Sequence, residues 1–255
     1  MNLGTLVDRL DDRLDTAGYA DIDGSPNGLQ VGQRDTDVER VVFAVDAARA
    51  TFERAIDADA DLMVTHHGLW WKGTQRMTGP TYDRVAMLIE HDIALYVSHL
   101  PLDGHQELGN AAGVAQAIDL EDREPFGSIG DRPVGQRGRV PSTTSIDGLV
   151  ERVDERVIDT DRDARVLSFG PTQIDDVAIV TGAGDDFIDE AISTGVDAFI
   201  TGEGKQRLYH ECKEAELTLV LAGHYQTETF GVRSLATLAD EWGLETVFVD
   251  HPTGF

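Results

Sequence analysis

Val38–Gly68 (VERVVFAVDAARATFERAIDADADLMVTHHG) and Ile174–Gly204 (IDDVAIVTGAGDDFIDEAISTGVDAFITGEG) align without a gap at a constant offset of 136 residues. Val41 falls on Val177, Ala47 on Ala183, Ala55-Ile56 on Ala191-Ile192, Asp61 on Asp197, Thr65 on Thr201 and Gly68 on Gly204. Each copy opens on an apolar, β-branched run and turns through small residues. It then carries Phe52, Ala55 and Ile56, or Phe187, Ile188, Ala191 and Ile192, at helical spacing before a second apolar run. Strand, helix, strand, written twice, predicts two βαβ units and an α/β protein with two sheets or one divided sheet.

The repeat extends to two further segments. Ile93–His99 (IALYVSH) runs into a histidine followed four residues later by Asp103, and Thr218–His224 (TLVLAGH) into one followed by Glu228, an offset of 125. The rims differ, because His66-His67 in the first copy meets Gly202-Glu203 in the second. Two pseudo-symmetric βαβ-containing lobes, 1–122 and 123–255, are therefore expected, with a metal site at their junction. Helices are predicted over Leu3–Ala17, Tyr82–Glu90, Leu108–Ile118, Ile146–Ile158 (capped by Ser145) and Glu228–Trp242, and a last strand over Glu245–Asp250. Glu121–Ser145, rich in Gly and Pro, reads as a connection with short strands.

Charge bounds the partners. The chain has 255 residues with 47 acidic against 21 basic, a net charge of −26. Asp outnumbers Glu 31 to 16 and the only lysines are Lys72, Lys205 and Lys213. A hydrated carboxylate surface keeps a protein soluble in concentrated salt, and this texture resembles a halophilic, haloarchaeal-type proteome. It lacks the basic patch that nucleic acid requires. No apolar run approaches a membrane span, and Met1–Leu14 is amphipathic and acidic, unlike a targeting peptide. Cys212 stands alone, which excludes an intrachain disulfide and a thiolate cluster. The expected compartment is the cytoplasm.

Imidazoles and carboxylates delivered at strand ends are how an α/β protein builds a metal site at the rim of its sheet. His66, His67, Asp103, His224 and Glu228 offer five nitrogen and oxygen ligands. That is more than one closed tetrahedral ion needs and enough for two ions with open positions. Adjacent residues of a strand point to opposite faces, so His66 and His67 need a bend at Gly68 to share an ion, or they serve one ion each. His224 and Glu228 share a helix face if a helix starts at once after Gly223. Pro101 bends the segment between His99 and Asp103. His91 reads as a helix terminus; His105, His210 and His251 have no counterpart in the other copy. Gly182-Ala183-Gly184, followed by two aspartates, is a weak phosphate-loop match. Trp70-Trp71 reads as packing in preference to a substrate wall.

Asn27–Gly32 (NGLQVG), Val64–Gly68 (VTHHG), Ser98–Asp103 (SHLPLD), Glu107–Asn110 (ELGN), Thr201–Gly204 (TGEG) and Gly223–Glu228 (GHYQTE) together resemble the Nif-three-like dinuclear metal-centre proteins, also known as GTP cyclohydrolase I type 2 homologues. The match is spread over the whole chain and corresponds to the short form. The resemblance implies His66, His67, Asp103, His224 and Glu228 as ligands of two divalent ions, with His99 beside them. It also implies a toroidal homohexamer enclosing the metals. The expected activity is metal-dependent hydrolysis of a nucleotide-like substrate such as the GTP purine ring, with His99 relaying protons. A non-enzymatic metal-binding regulator or adaptor and a phosphoesterase remain alternatives, and the ligand set suits Zn, Fe, Mn or Co alike.

Overall fold

Val41 to Val45 are all buried, as are Val177 to Val180, and strands buried on both faces are what a covered parallel sheet requires. The computed structural model describes residues 1–73, 76–158 and 162–254 and divides into two compact units, Met1–Leu102 with Gly231–His251, and Asp103–Phe230 with Pro252–Phe255. The division falls twenty residues before the expected one at 122/123, and the last segment of the first unit comes from the end of the chain.

The first unit contains helix α1 (Leu3–Leu14), strands β1 (Gly28–Val31) and β2 (Arg40–Asp46), helix α2 (Arg49–Asp57), strand β3 (Leu62–His67), helix α3 (Pro80–Glu90) and strand β4 (Ala94–Val97). Helix α4 (Leu100–Gly104) crosses the division. The second unit continues with helix α5 (Asn110–Ala117), strands β5 (Glu121–Ile129) and β6 (Arg132–Ser145), helix α6 (Ile146–Arg156), strands β7 (Arg165–Ser168) and β8 (Gln173–Val180), helix α7 (Ile188–Thr194), strand β9 (Ala198–Thr201), helix α8 (Arg207–Glu214) and strand β10 (Thr218–Leu221). Helix α9 (His224–Glu241) starts there and ends in the first unit, followed by strand β11 (Glu245–Phe248).

The duplicated reading holds to the level of strand register. The first sheet has the order β1-β4-β3-β2-β11 and the second β5-β6-β8-β9-β10-β7. In the first, β2 and β3 pair in parallel as Val41↔Leu62 through Ala44↔Thr65; in the second, β8 and β9 pair as Val177↔Ala198 through Val180↔Thr201. Those partners are the same positions shifted by 136. Beyond them, β3 takes β4 in parallel and β9 takes β10, and each array is closed by an antiparallel strand, β1 or β7. The opposite edges differ: parallel β11 in the first sheet, antiparallel β6 and β5 in the second.

Counting along the sheets corrects one alignment. Leu62↔Ala94 and Ala198↔Thr218 make β10 equivalent to β4 at an offset of 124. Backbone bonds agree, Ser98 N to Thr65 O at 3.0 Å and Ala222 N to Thr201 O at 2.8 Å. His99 therefore corresponds to Gly223, whose φ of +88° is open to glycine, and His224 stands one residue further on, opening α9. Matching by chemistry aligned the histidines; hydrogen-bond register displaces them by one.

A second correction concerns Glu121–Ser145. It is the outer antiparallel hairpin of the second sheet, turning at Gly130-Asp131, where a first-position glycine at φ +64° suits strand twist. Its prolines misled because Pro125 lies on the edge strand β5, Pro133 lies beyond the residues of β6 that pair with β8, and Pro141 falls in a pairing gap between Arg139 and Thr144.

Helices bury the faces their spacing predicts. Leu3, Leu6, Leu10 and Leu14 of α1 are buried, although the helix stops at Leu14 and a short 3-10 turn follows. Phe52 and Ala55 of α2 and Ile188 and Ala191 of α7 are buried, while Ile192 is exposed. Ser145 caps α6, its hydroxyl accepting from Gly148 N at 3.1 Å. Each unit has its own core. One gathers Val42, Phe52, Met63, Leu88 and Leu95; the other Val114, Leu149, Val153, Val177 and Ile200. No described helix is long and apolar enough to cross a membrane.

Candidate metal centre

Three imidazoles meet in the first unit. His66 and His67 end β3, and His99 follows β4, the strand beside it. Ring centroids are 4.7 Å apart for His66 and His67, 5.1 Å for His66 and His99, and 5.8 Å for His67 and His99. One ring nitrogen of each lies within 4.8 Å of the others, close enough to converge on an ion. The adjacent pair does not splay apart, because the strand ends at the pair and each ring is tied to a different neighbouring strand end.

Those ties fix the tautomers. His66 Nδ1 donates to the Ser98 carbonyl at 2.9 Å, and a carbonyl can only accept. His67 Nδ1 donates to Asp46 Oδ1 at 2.9 Å and His99 Nδ1 to Asp23 Oδ1 at 2.9 Å. With Nδ1–H so engaged, the neutral ring carries its lone pair on Nε2. Metal-ligating histidines show the same arrangement, the oxygen behind the ring fixing its orientation and raising its basicity. The donor set therefore fits a divalent ion. Asp23 is itself over-determined: Asn27 Nδ2 and the amides of Ser25 and Leu100 also donate to it. Burial pushes its pKa up, but the His99 hydrogen bond and charge, with Asn27 and the Ser25 amide, outweigh this and hold it below the usual carboxylate range.

The second unit holds the remaining candidates. His224 begins α9, and Glu228, one turn later, is buried with Oε2 3.1 Å from His224 Nε2, as four-residue spacing on a helix predicts. His224 Nδ1 meets Glu203 Oε1 at 3.1 Å. Burial would lower the His224 pKa; the two carboxylates outweigh it and push the imidazole up to about 9. A divalent ion on Nε2 would take the place of that proton. Gly182, at φ +62°, leaves the room Glu228 occupies: a Cβ there would come 2.1 Å from Glu228 Oε1. Asp103 is buried in α4 and accepts from Asn110 Nδ2 at 2.8 Å and Thr181 Oγ1 at 3.4 Å.

Every residue expected at the site thus belongs to one of two sets, His66, His67 and His99 in the first unit and Asp103, His224 and Glu228 in the second. Sequence reasoning missed the oxygens behind the rings: Asp23, Asp46 and Glu203. Asp46 carried a readable signal, since it ends β2 and is the register partner of His67. The other histidines fall outside these sets. His91 caps α3, and His105 Nδ1 accepts from the Glu107 and Leu108 amides at 3.2 and 3.0 Å. Trp70 packs on the first core, as expected, whereas Trp71 is exposed with its edge against His99, centroids 5.1 Å apart.

Two α/β sheets built from one repeated βαβ unit, with imidazoles and carboxylates at their strand ends, define a protein with candidate metal-binding groups. The chain belongs to the Duf34/NIF3 (NGG1p interacting factor 3) family, whose model matches residues 1–254. It is 49% identical over 254 residues to a GTP cyclohydrolase 1 type 2 homolog of Halobacterium salinarum, covering 100% of both chains. A homolog of the same name from Archaeoglobus fulgidus is 39% identical, with 99% of each chain covered. Among solved structures, a Thermus thermophilus protein, TTHA1606, matches with a TM-score of 0.90 and 36% identity over 100% of both chains. Reduced HcgD from Methanocaldococcus jannaschii matches with a TM-score of 0.85 over 98% of each chain at 23% identity, which speaks for the fold alone.

Proposed function

We propose that the chain is a metal-dependent hydrolase in which His66, His67, Asp103, His224 and Glu228 hold two divalent ions, of the Zn, Fe, Mn or Co kind, and act on a nucleotide-like substrate. One observation carries the reading: His66 and His67 each commit Nδ1 to an oxygen acceptor, so Nε2 is the nitrogen each would present to an ion. Divalent ions, when bound, supply Lewis acidity and bring the pKa of water toward neutrality. His99, held by Asp23, would accept and return a proton at Nε2. Glu203 keeps His224 in one orientation, and Gly182 keeps the Glu228 carboxylate in its place. The names of the Halobacterium and Archaeoglobus relatives supply the substrate class, a guanine nucleotide whose ring is opened by water.

The test is a substrate panel with protein reconstituted with each metal in molar KCl. About two ions per chain and ring opening of GTP are expected, with activity lost in His67→Ala at an unchanged melting temperature. Two bound ions without turnover of any nucleotide or phosphodiester would leave a metal-binding protein that is no hydrolase. Turnover of phosphodiesters alone would make it a phosphoesterase.

A further inference from the structure

A cleft of about 720 Å³ opens in the second unit beside Glu203, the residue that orients His224. Arg162, Arg165, Gly202, Gly204, Gly223 and Gln226 line it. Four of its features favour an anion. The chain carries a net charge of −26, so two arginines on one cleft stand out against a field that repels anions elsewhere. Arg165, on the edge strand β7, makes no ion pair among the described residues, and Arg162 is steadied by donating to the Gly254 carbonyl. Gln226 is 7% exposed as a residue, and it lines the cleft with no side-chain hydrogen bond to protein among the described residues. Its N–H groups can donate to an anion that enters.

The fourth feature is the backbone. Helix α9 starts at His224, and Gly223 and Gln226 at its beginning border the cleft, so the positive end of an 18-residue helix opens there. Gly202, Gly204 and Gly223, just beyond the ends of β9 and β10, bring backbone to the cleft wall. Two carboxylates share the cleft and narrow the choice. Glu203 is engaged by His224 Nδ1 at 3.1 Å, whereas Asp163 is exposed. Against Asp163 a singly charged anion gains little, while a di- or triphosphate can pair with both arginines at once.

We propose that this cleft anchors the phosphate chain of a phosphorylated substrate, Arg162 and Arg165 pairing with its oxygens while Gln226 and the start of α9 donate N–H groups. The assignment deepens the nucleotide reading above and rests on it for the substrate class. It makes Arg165 and Gln226 binding residues, separate from the ligands proposed for the metals.

Calorimetric titration of the metal-loaded full chain with inorganic pyrophosphate, a β,γ-methylene GTP analogue and guanosine tests it, with Arg165→Gln and Gln226→Leu compared against the unmodified protein. Both variants are expected to bind pyrophosphate and the analogue at least tenfold more weakly, with guanosine affinity and metal content unchanged. Unaltered affinity in both variants, or no pyrophosphate binding by the unmodified chain, would overturn the assignment. A GTP analogue that binds through these residues without GTP ever being turned over would instead sink the hydrolase reading and leave the phosphate site standing.

Discussion

Asp61 and Asp197 occupy the same place in the two sheets. Asp61 Oδ2 accepts the amides of Glu39 and Arg40 at 2.8 and 2.9 Å; Asp197 Oδ2 accepts those of Asp175 and Asp176 at 2.8 and 3.0 Å. Each carboxylate, just ahead of the second strand of a βαβ unit, thereby ties that strand to the first. The repeat has kept a hydrogen-bond device as well as an apolar pattern.

Removing either carboxylate is expected to destabilise its unit. Two charge-assisted bonds to backbone amides are lost, so Asp61→Ala and Asp197→Ala should each cost about 2 kcal/mol, and the Asn variants less. Urea unfolding in molar KCl measures this, and a loss below about 0.5 kcal/mol in both Ala variants would contradict it.

Metal affinity should depend on the oxygen behind His67. Asp46→Asn keeps the shape of the site but removes the acceptor charge that orients that ring. Affinity is expected to fall by about 10–100-fold with the fold intact. Competition titration against a chelator reads the constant, while far-ultraviolet circular dichroism checks the fold. Equal affinity in the variant and the unmodified protein would show that His67 does not bind the ion.

Gly182→Ala should remove metal and stability together. The φ of +62° costs a residue with a Cβ about 1–2 kcal/mol, and the new methyl would lie 2.1 Å from Glu228 Oε1. A lowered melting temperature and loss of bound metal in elemental analysis are expected. Retention of both would mean that Glu228 can leave its place freely.

Cys212 should be inert in the folded chain. It is fully buried in α8, and burial, with the nearby Glu211 charge, pushes its thiol up to about 11. Since the thiolate is the reacting form, a disulfide reagent at neutral pH should label it only as fast as the protein unfolds. Prompt labelling in native buffer would refute this.

Salt should govern assembly. Copies carrying −26 each repel strongly in dilute buffer, and screening relieves it. The homohexamer expected from family resemblance should persist in molar KCl and loosen on dilution into low salt, as sedimentation would show. A monomer under both conditions would end the assembly proposal.

The sequence by itself determined the repeated βαβ core and the residues that offer ligand atoms. Apolar runs at strand and helix periods are local signals, and a gap-free offset of 136 between Val38–Gly68 and Ile174–Gly204 repeats them. His66, His67, Asp103, His224 and Glu228 could be read because each closes or follows such a run. Tertiary structure decided what stands behind them. Asp46 reaches His67 across 21 residues, Ser98 reaches His66 across 32 and Asp23 reaches His99 across 76, so no local pattern links them. It also decided that Gly223, not His224, takes the place of His99, because strand register is set by backbone hydrogen bonds that a residue's chemistry does not reveal. Glu121–Ser145 became a hairpin for the same reason: its prolines fall where the sheet asks for no N–H, and only the pairing itself shows where that is.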